Sequence, residues 1–308
     1  MTQTGSAVEI VEVGPRDGLQ NEARVLPPAV RAELIQRLMD AGARRLEVAS
    51  FVHPKLVPQM AEAEEVVAQL ERREGVSFIG LVLNERGFDR AIDAGVHEAN
   101  FAFAATDTFN QRNGGQTVEE SLQAWERLAA RGRDQGIKMS CTIGVAFGCH
   151  FEGEVAPERV LTLAERAAAV GADEIAIADT IGVGVPSQVR HLVSELQGRL
   201  PQMPLRVHFH NTRNTGFANA YAAIEAGVTV VDASVGGLGG CPFAPGAAGN
   251  IATEDLVYLA ERMGYETGLS VEGLIDTASW VEEQVGHDVS AQLGRAGDFP
   301  GDRTAGSD

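Results

Sequence analysis

One phrase recurs four times along this chain: AGARRLEVAS (41–50), AGVHEANFAF (94–103), VGADEIAIAD (170–179) and AGVTVVDASV (226–235). Each places a small or apolar residue before a glycine, then a short run rich in apolar residues. Glycine is the usual residue just past a helix C-terminus, where left-handed dihedrals are needed. Each phrase therefore reads as a helix ending and a strand beginning. Completing the pattern predicts strands near 8–13, 44–49, 76–83, 98–104, 138–146, 173–178, 204–210 and 229–234. Between them lie stretches such as PPAVRAELIQRLMDAG and VEESLQAWERLAARG, with apolar residues at three- and four-residue spacing. PPAV and APERV set proline near helix starts, where a missing N–H costs little.

Runs such as VSFIGLVL and EIAIAD read as apolar on both faces, the pattern of parallel strands buried on both sides. Eight alternating β and α segments in about 260 residues fit the α/β class as a single (β/α)8 barrel. A doubly wound open sheet is the alternative. An extra helical segment near 270–285 completes one domain over 1–285, and residues 286–308 are expected to form a flexible tail.

A formal net charge of −18, from 25 basic and 43 acidic residues, repels phosphate backbones and anionic lipid heads. Nucleic acid and membrane partners are therefore not expected, while a homo-oligomer is left open. Lysine occurs only at Lys55 and Lys138. The cysteines Cys141, Cys149 and Cys241 lack C-x-x-C spacing, which argues against a disulfide framework and for a reducing compartment. MTQTGSAVEI lacks the features of a signal peptide, and no long uncharged apolar run is present, so a cytoplasmic protein is expected.

Barrel enzymes place their chemistry at the C-terminal ends of strands and in the loops that follow. The first strand runs into EVGPRDGLQNE, bringing Arg16, Asp17 and Gln20 to that face; the second delivers Glu47 and Ser50, the sixth Asp179 and Thr180. The seventh reads LRVHFHN, with His208 and His210 on one side because side chains alternate. The eighth leads through Asp232 into GLGGCPFAPGAAGN, which carries Cys241 and ends on Asn250. Two imidazoles with a carboxylate or amide oxygen suit Mg2+, Mn2+ or another divalent cation better than a thiolate zinc site does. Asp17 is the natural carboxylate and Asn250 a candidate fourth ligand. Arg16 is placed to face developing negative charge. Glu47, inside an apolar strand, must be paired; it serves either directly or by holding Arg16. The glycine-rich stretch matches neither a P-loop nor G-x-G-x-x-G. Cys141 reads as packing, and Cys149, His53, His97, His150, His191 and His287 have no interpretable spacing.

VEVGPRDGLQNE, SFVHPKLVPQM, DTIGVG, VHFHNT and VGGLGGCPFAPGAAGNIATEDLVY strongly resemble the 3-hydroxy-3-methylglutaryl-CoA (HMG-CoA) lyase family, in collinear motifs over about residues 8 to 265. The resemblance implies a TIM barrel, in a superfamily of divalent-metal enzymes that includes isopropylmalate and homocitrate synthases. It implies that Arg16 stabilises a thioester enolate and that Asp17, His208, His210 and Asn250 hold the metal. Cys241 would act from a mobile loop and Glu47 from the active site. The implied reaction is a retro-Claisen cleavage to acetyl-CoA and acetoacetate, a step of leucine catabolism, with Asp17 or His208 as base and Cys241 as proton donor.

One stretch departs from the family pattern H-x-H-D-T-Y-G-Q. HFHNTRNTG puts Asn211, Arg213 and Asn214 where an acid, an aromatic and a glycine are usual. Arg213 is thus expected to pair an anionic group of the substrate, alongside Gln20, Ser50, Thr180 and, for the CoA phosphates, Lys55. The alternatives are lyase action on another 3-hydroxyacyl-CoA, such as citramalyl-CoA or a longer branched homologue; a related condensing synthase; and a non-catalytic paralogue.

Overall fold

The computed structural model describes residues 7–241 and 244–299, and of residues 241 and 244–247 the backbone alone. Eight strands form its centre: β1 (Glu9–Glu12), β2 (Arg45–Ser50), β3 (Ser77–Val82), β4 (Glu98–Ala104), β5 (Lys138–Gly144), β6 (Glu174–Asp179), β7 (Leu205–Phe209) and β8 (Val230–Ala233). All neighbours pair in parallel, and β1 closes on β8, so the sheet is a complete barrel rather than an open doubly wound sheet. The glycines of the recurring phrase explain the spacing: Gly42, Gly95, Gly171 and Gly227 all have positive φ, from 83° to 104°. Each lets the chain leave a helix and turn directly into the next strand.

Around the barrel lie α1 (Pro28–Asp40), α2 (Ala63–Ala68), α3 (Glu85–Ala94), α4 (Asp107–Gly114), α5 (Val118–Asp134), α6 (Pro157–Ala169), α7 (Pro186–Arg199), α8 (Gly216–Glu225), α9 (Thr253–Arg262) and α10 (Val271–Val285). Their apolar stripes pack on the outer faces of the strands. Trp125 of α5, fully buried, stacks near Phe101 of β4 and donates its ring N–H to the Ala167 carbonyl. No described helix is long and apolar enough to cross a membrane.

Two features differ from the sequence-based expectation. The fifth strand stops at Gly144 because Val145 takes φ +49°, held by the Thr180 hydroxyl accepting from its N–H. The segment from 286 also does not trail away at once. Ser290 and Ala291 donate their N–H groups to the Gly236 carbonyl, His287 meets Glu22 at 2.7 Å, and α11 (Leu293–Ala296) is held by Asp255. Ala291 and Leu293 are buried there, which supplies the apolar anchor.

The inside of the barrel is polar, not apolar. Its buried apolar cluster is small, Val11, Val13 and Ile79 with Val230 against them. Charged side chains fill much of the rest: Arg45 pairs with Glu98 at 2.7 Å and Glu174 at 2.8 Å, and Arg206 lies 3.2 Å from Glu174. Burial pushes the Glu98 carboxyl up, but Arg45 and Arg206 outweigh this and hold it at about 2 against an ordinary 4.5. A carboxyl depressed on folding contributes stability above its unfolded value, and loses it as pH falls through the folded one. Unfolding free energy should therefore fall between about pH 4.5 and about pH 2. At neutral pH, Arg45→Met leaves two buried carboxylates short of a partner and should cost about 3–5 kcal/mol in urea denaturation. An unchanged urea midpoint would show that the network adds nothing to stability.

Candidate active site

The site is built where β1, β2, β7 and β8 reach the C-terminal mouth of the barrel. After β1 the chain winds into one π-helical turn, Gly14–Gly18, in which Asp17 and Gly18 return their N–H groups to the Val13 carbonyl. This turn points Arg16 across the mouth onto β2. Arg16 Nε donates to Glu47 Oε2 at 2.7 Å, and Nη1 meets Asp17 Oδ1 at 2.5 Å. Burial works against the Arg16 charge, but Asp17 and Glu47 outweigh it and raise its pKa. Arg16 is a permanently charged group, 9% exposed and fixed on both sides. Glu47 in turn accepts at 2.9 Å from Asn100 of β4.

On the opposite wall, β7 carries His208 and His210, both buried. His208 Nε2 lies 3.8 Å from Asp17 Oδ2 and His210 Nε2 lies 3.7 Å from it, so one carboxylate oxygen and two imidazole nitrogens converge. His208 Nδ1 is taken by Asp232 Oδ2 at 3.1 Å, leaving Nε2 to face the mouth. Burial would lift the Asp17 carboxyl; Arg16, a hydrogen bond from His210 and the two imidazoles hold it well below its ordinary value. An anionic oxygen facing two ring nitrogens is a donor set suited to a hard or borderline divalent cation. The residues present therefore fit such an ion.

The loop after β8 joins this cluster at both ends. Gly239 and Gly249 form its neck, where a side-chain carbon on Gly249 would lie 1.8 Å from the Gly239 carbonyl oxygen. Between them Gly240–Cys241 pairs antiparallel with Ala244–Ala248. Asn250, next to His210 across an antiparallel bridge, donates from Nδ2 to Asp17 Oδ2 at 2.8 Å and to the Leu238 carbonyl at 3.0 Å. The Cys241 side chain lies outside the described residues.

The near end of the loop turns at Gly236 and Gly237, with φ of +68° and +66°. Two buried acids hold that turn. Glu12 accepts from Gly14, Val235 and the Thr253 hydroxyl; Glu254 accepts from Gly236. Burial drives both carboxyls up, Glu12 to about 7 and Glu254 to about 8.

The remaining candidates are less central. Ser50, fully buried at the end of β2, has a hydroxyl with no hydrogen-bond partner among the described residues. Thr180 spends a lone pair on Val145, Gln20 is half-buried beyond the π turn, and Lys55 is exposed. Arg213 donates Nη1 to the Ile181 and Gly182 carbonyls at 2.8 and 3.2 Å. It lines a cavity of about 510 Å³ with Asn211, Asn214, Ser290 and Arg295, a cavity that none of Arg16, Asp17, His208 and His210 borders. Backbone geometry accounts for one of the other two departures. Asn214 sits at φ +61°, a conformation that glycine adopts freely and asparagine tolerates. Asn211 accepts from the Gly216 N–H at the start of α8. Asp232 and Asn100, which hold His208 and Glu47, carried no motif by which to find them.

Fold and site define a (β/α)8-barrel protein whose mouth joins a buried arginine to a mixed nitrogen and oxygen ligand set. Residues 7–281 match the HMGL-like family, and the chain belongs to it as a carbon–carbon lyase. It is 46% identical over 301 residues to (R)-citramalyl-CoA lyase of Chloroflexus aurantiacus, covering 94% of this chain and 95% of that one. It is 42% identical over 290 residues to hydroxymethylglutaryl-CoA lyase of Pseudomonas mevalonii, covering 94% of each. The solved structure of an HMG-CoA lyase from Acinetobacter baumannii, in complex with coenzyme A and 3-methylmalate, superposes with a TM-score of 0.91 at 37% identity, over 98% of this chain and 97% of that one.

A carboxyl raised on folding contributes stability below its unfolded value, and loses it as pH rises through the folded one. For Glu254 that window runs from 4.5 to about 8. Glutamine copies the protonated form, so Glu254→Gln should lose less melting temperature than the parent between about pH 5 and pH 9. Equal losses would remove Glu254 from the pH dependence.

Proposed function

We propose that this lyase cleaves 3-hydroxy-3-methylglutaryl-CoA to acetyl-CoA and acetoacetate, with a divalent cation, Mg2+ or Mn2+, held by Asp17, His208, His210 and Asn250. The observation that carries this reading is the approach of Asp17 Oδ2 to both imidazole Nε2 atoms beside a fully paired Arg16. The 42% identity to a hydroxymethylglutaryl-CoA lyase supports the substrate. A bound cation would supply Lewis acidity that lowers the pKa of the substrate 3-hydroxyl. Asp17 takes the hydroxyl proton. The bond between C2 and C3 then breaks, its electron pair passing into the thioester as an enolate while the 3-carbon becomes a ketone. Arg16 faces the oxygen on which that charge develops, and because Glu47 and Asp17 already orient it, it need not reorganise. Cys241, brought up by its loop, returns a proton to C2 as the mouth closes against water. Ser50, with its unpartnered hydroxyl, is a contact for the acyl group, with Gln20 and Thr180; Lys55 reaches toward the CoA phosphates.

Citramalyl-CoA is the second reading, supported by the 46% identity to a citramalyl-CoA lyase. The same bond would break, with pyruvate as the ketone product. Arg213 would contribute there through the N–H groups that Ile181 and Gly182 leave unused.

Acetyl-CoA release from the two thioesters, with Mg2+ or Mn2+ added to chelator-treated protein, separates the readings. Turnover of HMG-CoA ahead of citramalyl-CoA supports the first, the reverse ranking the second, and turnover of neither overturns both. Arg16→Met should lower kcat by about 10²–10³-fold. Cys241→Ala should lower cleavage by about 10²-fold or more while leaving Mn2+ binding in place; unchanged cleavage would remove Cys241 from the mechanism.

A further inference from the structure

Beneath the mouth, a chain of side chains runs around the barrel interior from Arg16 to His208. Arg16 holds Glu47 Oε2 at 2.7 Å, and Asn100 donates to Glu47 Oε1 at 2.9 Å. The Thr142 hydroxyl donates to Asn100 Oδ1 at 2.8 Å, and Arg206 Nη2 donates to Thr142 at 3.4 Å. Arg206 Nε lies 3.6 Å from Asp232 Oδ1, and Asp232 Oδ2 lies 3.1 Å from His208 Nδ1. His208 Nε2 facing Asp17 closes the ring back to Arg16. The five side chains between Arg16 and His208 project from five different strands, Arg206 sharing β7 with His208.

We infer that Asp232 is the positioning residue of His208: it keeps the imidazole proton on Nδ1 and so leaves the Nε2 lone pair facing Asp17. Among the described residues Asp232 Oδ2 has one polar neighbour at hydrogen-bond distance, His208 Nδ1, and an ionised carboxylate oxygen can only accept a hydrogen bond there. Asp232 Oδ1 faces the buried guanidinium of Arg206 at 3.6 Å, an ion pair on the carboxylate's other side. Arg206 in turn lies between Glu174 and Asp232, with no solvent to screen it. A carboxylate behind a ligand histidine sets its tautomer and ring orientation. This inference rests on the cation reading of Asp17, His208 and His210 for its consequence, but not for the contact itself.

Asp232→Asn keeps size and shape, yet its amide can donate toward Nδ1 and move the ring proton to Nε2. Titration of chelator-treated protein with Mn2+ alone, followed by the EPR signal of the free ion, should show affinity about 10–100-fold weaker in this variant. kcat should fall with it, while KM for the acyl-CoA changes little. Unchanged Mn2+ affinity in a folded Asp232→Asn protein overturns the inference. If the unsubstituted protein binds no Mn2+, the cation reading fails instead. The contact is then decided by 15N–1H correlation spectra of the unsubstituted protein's imidazoles, with His208→Gln identifying the signal. A proton on Nδ1 of His208 is the expected result, and a bare Nδ1 overturns the inference whatever the variant does.

Discussion

Buried charge inside the barrel is the constraint from which the rest of this structure follows. Arg45, Glu98, Glu174, Arg206, Asp232, Glu47 and Arg16 all lie at or below 9% exposure, where an unpaired charge would cost several kcal/mol. Each must find a partner on another strand, and those partners fix which strands stand opposite one another. Arg45 ties β2 to β4 and β6, Arg206 ties β7 to β6 and β8, and Arg16 ties the turn after β1 to β2. Hydrophobic packing, by contrast, lies almost wholly outside the strands, under the helices. The two kinds of interaction divide the labour: apolar burial supplies most of the stability, and charge pairing supplies register.

The same division explains what could be read from the residues alone. The four glycine phrases revealed the alternation of helix and strand because a helix end needs a left-handed residue, a local requirement visible in the chain. Arg16, Asp17, His208, His210 and Asn250, picked out at strand ends, are brought together at one mouth. The polar interior was not legible. EIAIAD looks apolar on both faces by count, but its inward side begins with Glu174, and only the barrel's closure shows which side faces in. Asn100 and the pairing of Asp232 with His208 escape for that reason: a single polar residue in a strand says nothing of its partner until register is known. In HNTRN, Asn214 answers a backbone angle and Asn211 accepts at a helix start, needs of the turn itself, while Arg213 lines a neighbouring cavity.

The glycine-rich loop shows how a segment that reads as loose is held. Its neck is pinched where Gly249 meets Gly239, and its near end is fixed by Glu12, Glu254 and the Ser290 segment beyond α10. Both acids are held there by burial in a form that takes up protons near neutrality. The hairpin between carries Cys241 on its first strand, and the anchoring is concentrated at the base.

The closure of β1 on β8 has a consequence for how the protein comes into being. Arg16, Asp17 and Glu47 belong to the first strands made, whereas His208, Asp232 and Asn250 belong to the last. No partial chain assembles the cluster, since its halves meet only when the ring is complete. Until then, Arg16 and Glu47 can pair with each other but have nothing across the mouth to face. The complete cluster therefore depends on the pairing of β1 with β8, and a chain that ends before β8 lacks Asp232 and Asn250.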